Sequence, residues 1–127
     1  MSSPKKQNFK VYQGSTWEYR LVLTNEATNT PFDLTGFEAR MQLREEISST
    51  ESVLDLTTAN SRLVVSNALA GELRLLVSAA DTALLPLDGE KKTYVYDIEV
   101  FRPLPAPEYV RRVFEGKVEC FPEVTRL

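Results

Sequence analysis

The chain has no histidine and a single cysteine, Cys120, among its 127 residues. Without histidine it lacks the commonest general base near neutral pH and the commonest transition-metal ligand. One cysteine and no histidine cannot assemble an ordinary zinc site. Neither a Ser-His-Asp nor a Cys-His arrangement can form within one chain. Cys120 has no partner for an internal disulfide. In the pattern Val118-x-Cys120 it reads as a small buried hydrophobe on a strand, and this cysteine usage suits a reducing cytosol. No run approaches the roughly 18 apolar residues that span a bilayer. The opening MSSPKKQNF has no apolar stretch, so no secretory signal is expected. The glycines Gly14, Gly36, Gly71, Gly89 and Gly116 are isolated, which leaves no phosphate-cradling loop. Neither charge sign dominates: 15 Lys and Arg against 18 Asp and Glu give a net charge of −3. That is no basic footprint for nucleic acid, and the pair Lys5-Lys6 reads as a solubilising feature. No nucleic acid, membrane, metal or cofactor is expected.

What is present is β-pattern. Hydrophobic residues are 43% and charged residues 26%, ordinary for a globular domain. The stretch Gly71 to Phe101 organises the rest. Leu73, Leu75 and Val77 alternate as one buried face of a strand. Ser78 then stands at a helix cap, with Asp81 three residues on, the spacing of a reciprocal capping box. Pro86 ends the helical possibility and Asp88-Gly89 makes a turn. Thr93 to Phe101 resumes as a central strand, with Tyr94, Tyr96, Ile98 and Val100 on one face. This predicts a short helical crossing between two sheets.

Around it, Phe9 to Tyr12 reads as a short strand. Thr16 to Thr24 sets Trp17, Tyr19, Leu21 and Leu23 on one face, as in an antiparallel sheet with one wet side. Asn25 to Pro31 is a polar loop. Phe32-Asp33-Leu34-Thr35-Gly36 is turn chemistry. Phe37, Ala39, Met41 and Leu43 point inward from the next strand, and Glu45 to Ser52 is an exposed loop. Val53 to Thr57 and Arg62 to Val65 are short strands. Arg102 to Glu108, with three prolines, cannot be sheet interior and reads as a stiff hairpin loop. Tyr109 to Phe121 is the last β segment, with Gly116 expected at a bulge. Seven to nine strands and one short helix predict an all-β antiparallel β-sandwich. Its parts are a flexible N-terminal arm (1–7), the sandwich domain (8–122) and a C-terminal tail (123–127).

Candidate sites are few. Asp97 and Glu99 are two apart on a strand, a spacing that a hydrolase's carboxylate pair can use, but Arg111 or Arg112 on a neighbouring strand can neutralise them. Asp88-Gly89-Glu90 is too sparse for a Ca²⁺ loop. Trp17, Tyr19, Tyr94, Tyr96 and Phe101 offer a sugar platform only if exposed; such rings dominate cores. Tyr109 beside a rigid loop suits a protein interface. The expectation is therefore no enzyme and no catalytic residue. The expected contact residues are Lys5, Lys6 and Phe9 on the arm; Arg102, Pro103, Leu104, Pro105, Pro107 and Tyr109 on the hairpin; and Arg126 and Leu127 on the tail. The Glu45 to Ser52 loop joins them.

The succession of motifs resembles a known family. QGSTWEYRLVLTN (13–25), PFDLTGFEARMQLR (31–44), GELRLLVSAADTALL (71–85), YVYDIEVF (94–101) and VFEGKVECFPEVTR (113–126) are similar to small phage tail and baseplate proteins. In particular they resemble the immunoglobulin-like N-terminal domain of phage baseplate upper proteins. Gly14, Asp33-Leu34-Thr35-Gly36, Arg40 to Arg44, Gly71 to Thr82 and Gly116 to Arg126 carry the likeness. The resemblance implies a bacteriophage virion structural protein, a tail, baseplate or fibre-attachment adaptor. It would be assembled in the bacterial host cytoplasm, with other virion proteins and further copies of itself as partners. The coiled-coil or receptor-binding region of baseplate upper proteins does not follow in this sequence. The alternative is a carbohydrate-binding β-sandwich that recognises host surface glycans.

Overall fold

Alternating apolar and polar residues set most of the secondary structure. The computed structural model describes residues 4–125. Its elements are β1 (Lys5–Lys6), β2 (Phe9–Tyr12), β3 (Trp17–Val22), β4 (Thr24–Asn25), β5 (Thr30–Pro31), β6 (Glu38–Arg44), β7 (Leu54–Thr57), β8 (Leu63–Asn67), β9 (Glu72–Val77), the helical turn α1 (Ala79–Thr82), β10 (Lys92–Arg102) and β11 (Tyr109–Phe121). The larger sheet runs β1-β11-β10-β6-β7, with β2 also on β11. The smaller runs β3-β9-β8, and β4 pairs only with β5. The fold is an all-β, immunoglobulin-like sandwich. Its core forms where the inward faces of the two sheets meet: Ala39, Met41 and Leu43 of β6 and Tyr94, Ile98 and Val100 of β10 against Leu73, Leu75 and Val77 of β9.

The chain passes between sheets at the predicted crossing, from β9 through α1 to β10. The Ser78 hydroxyl accepts the Asp81 amide at 3.2 Å, half of the expected capping box. The other half is corrected: the Asp81 carboxylate takes Arg62 at 2.9 Å instead, because a charge-assisted pair outcompetes a bond to an amide. The crossing is fastened by Thr82, which is fully buried. Its hydroxyl accepts the Gly14 amide at 3.1 Å and donates to the Ser15 carbonyl at 2.8 Å. Gln13 adds a bond from its side-chain amide to the Leu85 carbonyl at 3.2 Å. The corner between β2 and β3 is thus tied to α1.

Three expectations are revised. Of the expected arm (1–7), residues 1–3 lie outside the described residues and Lys5 and Lys6 form a strand of the sheet. Lys5 and Lys6 pair in parallel with Phe114 and Glu115, and the Gln7 amide donates to the Glu115 carbonyl at 3.0 Å. The bulge lies at Val113, where the β10–β11 register steps from Ile98↔Phe114 to Glu99↔Arg112. Gly116 serves another purpose: a Cβ there would meet the Gln7 carbonyl oxygen at 2.5 Å, so only glycine lets the N-terminal strand approach. Asn8 completes this contact, its side-chain oxygen accepting the Lys117 amide at 2.9 Å, and the Tyr96 hydroxyl donates to the Gln7 carbonyl. Finally, short pairings at β1 and at β4–β5 bring the strands to eleven among the described residues.

Candidate assembly interface

The β10–β11 hairpin end is built from the turn that precedes β6. Asp33 accepts both the amide (2.9 Å) and the hydroxyl (2.6 Å) of Thr35, first the hydroxyl and then the amide holding its carboxyl below the usual value. Gly36 completes the turn at φ 80°, a conformation that disfavours any side chain. Phe37 is thereby delivered to the open end of the sandwich. Its ring meets Phe32 edge-on at 5.6 Å and Tyr109 at 5.8 Å. Arg102 caps the cluster, its guanidinium 5.2 Å from the Phe37 centroid and 5.6 Å from that of Tyr109. Arg111 lies over Phe32 at 5.3 Å. On the outer face Arg40 covers Phe101 at 4.3 Å and pairs with Glu99 at 2.8 Å. Three arginines on aromatic rings thus brace the hairpin base from both faces. Beyond it Pro103, Pro105 and Pro107 are exposed, and Leu104 is 74% exposed.

The structure brings Arg102, Pro103, Leu104, Pro105, Pro107 and Tyr109 together on this one element. Lys5 and Lys6 sit, exposed, on β1, where Lys5 shares a surface trough with Phe32 and Arg111. Phe9 is corrected as a contact residue. It is buried, with ring centroids 5.5 Å from Trp17, 5.0 Å from Tyr19 and 5.4 Å from Tyr96; a Phe on the inward side of an edge strand joins the core rather than a partner. Arg126 and Leu127 lie outside the described residues. The Glu45 to Ser52 loop is exposed, with Ile47 at its crest.

The five rings considered for a sugar platform do not share a surface. Trp17, Tyr94 and Tyr96 are buried, Tyr19 leans on Phe9, and Phe101 lies under Arg40. Burial raises the Tyr94 hydroxyl to about 12 and raises that of Tyr96 as well. The most exposed aromatic ring among the described residues is Tyr12, stacked on Phe121 at 5.3 Å. Sequence reasoning passed over it because the parallel pairing of β2 with β11 has no local sequence signal.

Asp97 and Glu99 face a trough of about 810 Å³ on the outside of the larger sheet, lined also by Arg44, Arg112 and Lys117. Arg112 pairs with Asp97 at 3.3 Å and with Glu115 at 3.5 Å. Glu99 takes Arg40, and Arg111 lies over Phe32. Burial raises the Asp97 carboxyl, and Arg112 opposes that rise. Each member of the pair thus has its own arginine. Among the described residues no group of three or more acidic, Cys or His side chains is arranged to hold a metal ion. No helix among them is long and apolar enough to cross a membrane.

No protein-family model and no curated protein sequence matches the chain. Among solved structures, the N-terminal domain of phage TP901-1 ORF48 is similar at a TM-score of 0.46 and 14% identity, over 96% of this chain and 91% of that one. Tim-2 is similar at 0.36 and 14% identity, over 100% of both chains. AggA, the major subunit of aggregative adherence fimbriae type I from Escherichia coli, follows at 0.28 and 8% identity, over 95% of this chain and 91% of that one.

Proposed function

We propose that this chain is a non-enzymatic structural subunit of a bacteriophage virion that works by protein–protein assembly at a tail, baseplate or fibre-attachment point. The observation that carries the reading is the braced hairpin: an exposed leucine between prolines, on a base fixed by Arg102 over Phe37 and Tyr109. An apolar side chain held out on a stiff support loses little conformational entropy when it docks. Its aromatic and arginine surround has the composition of interface centres. The motif order from Gly14 to Arg126 supports placing that assembly in a phage particle. A photo-crosslinking residue at position 104, followed by mass spectrometry of purified particles that carry the chain, tests the reading. Cross-links to a tail, baseplate or fibre protein are expected; absence of the chain from purified particles would overturn it. Leu104→Asp should leave the isolated subunit folded and remove it from particles. The carbohydrate-binding reading loses its support with Trp17 and Tyr96 buried; glycan binding abolished by Tyr12→Ala would restore it.

A further inference from the structure

A strand at a sheet edge presents unpaired backbone donors and acceptors, and proteins usually blunt such edges. Three of the four edges of the two main sheets are blunted. On one side of the larger sheet, β1 is two exposed lysines, parted from β2 by Gln7 and Asn8, whose polar groups turn toward Gly116 and Lys117. On the other, β7 has four residues, and its Asp55 carbonyl already accepts from Asn60 at 3.0 Å and Arg62 at 2.8 Å. In the smaller sheet the β8 register breaks between Val65 and Asn67. The edge at β3 is neither short nor broken, and it carries its charge as one residue of each sign, Glu18 and Arg20. It runs six residues in unbroken register against β9, from Trp17↔Val77 to Val22↔Glu72. Among the described residues no strand pairs with its second side.

The outward side chains of β3 add a specific feature. The ladder sets Arg20 directly opposite Arg74, a like-charge pair that is unfavourable on a sheet. Both escape diagonally, Arg20 to Glu72 at 2.6 Å and Arg74 to Glu18 at 2.5 Å. A second β3, antiparallel about a two-fold axis normal to the sheet, must keep outward residues opposite outward residues, so the axis falls on a residue. At Glu18 it would oppose two glutamates, and at Arg20 two arginines. At Tyr19 it sets Glu18 of each copy opposite Arg20 of the other, giving the cation that faces Arg74 an anion on its open side. The half-exposed Tyr19 then meets its own counterpart on the opposite face.

We propose that the β3 edge is a self-pairing surface on which two copies of this chain join antiparallel about Tyr19, making one continuous sheet of both smaller sheets. The inference names one partner for the assembly reading above and rests on it only for the setting. It uses none of the hairpin's residues, so failure at Leu104 and failure at β3 are separate results. Sedimentation equilibrium on the purified chain tests it. The native chain should show a reversible monomer–dimer equilibrium. Glu18→Arg or Arg20→Glu alone sets like charges across the axis and should raise the dimer dissociation constant roughly tenfold or more. An equimolar mixture of the two variants opposes a cationic row to an anionic one and should recover the native affinity as a heterodimer. A native chain that stays monomeric at every concentration, or a mixture no tighter than either variant alone, overturns the proposal. Each variant also loses one diagonal ion pair, so its fold is checked by thermal melting. If either fails to fold, amide exchange on the native chain decides: β3 protection that rises with concentration supports pairing, and concentration-independent exchange refutes it.

Discussion

Single atoms decide several features of this molecule. Gly116 has no side chain because the Gln7 carbonyl occupies that space. Gly116→Ala should destabilise by about 1–3 kcal/mol, the usual cost of overpacking, read as a lower denaturant midpoint with unchanged slope. Thr82 is the other such point. Thr82→Val keeps the shape but strands the Gly14 amide and the Ser15 carbonyl that the hydroxyl satisfies, at about 1–3 kcal/mol; a loss well below that would mean water replaces the hydroxyl. Alkaline lability follows from burial. The Tyr94 hydroxyl titrates at about 12 in the fold against 10.0 in a free chain, and the Cys120 thiol at about 11 against 9.0. Raised folded values favour the protonated forms. That stability is complete below about pH 9 and drains away as pH climbs through the folded values, to about pH 12. Denaturant midpoints should fall across this window, and Tyr94→Phe with Cys120→Ala should make the fall shallower.

At the scale of elements, the hairpin between β10 and β11 is exposed enough that Leu104→Asp should change stability by no more than about 0.5 kcal/mol, measured by urea unfolding, whatever it does to assembly. The elements that local pattern specifies were readable in the sequence. Strict alternation announced β3, β6 and β9, the Asp33–Gly36 turn announced itself by composition, and Ser78 marked the crossing. The hairpin was legible through its prolines. What could not be read was non-local. The fit of Gln7 against Gly116 joins residues more than a hundred positions apart, and the Val113 bulge depends on how β11 registers against β10; no alternation records either. For the same reason Phe9 looked like a contact residue and proved to be core: a four-residue edge strand is too short to show which face is covered. The arginines that seat themselves on Phe37, Tyr109, Phe32 and Phe101 were equally invisible, since a cation over a ring leaves no periodic trace.

For the whole molecule, two sheets are joined by a crossing that is itself fastened to the β2–β3 corner, so core, crossing and N-terminal strand should open late and together. Amide exchange should be slowest in β10, which is paired on both sides over most of its length, and fast in the β4–β5 ribbon, whose two strands pair only with each other. Equal rates in the two would show that the ribbon is part of the cooperative unit. One feature has a mechanical meaning. Lys5 lies beside Phe114 and Tyr12 beside Phe121, in a parallel arrangement. Tension that draws the chain outward before Lys5 and after Phe121 therefore pulls the two strands past each other lengthwise. Every bond of that ladder is loaded at once instead of opening in turn like a zip. A subunit under strain between two neighbours would resist as a clamp, and the seat of the Gln7 carbonyl against Gly116 is where that clamp closes.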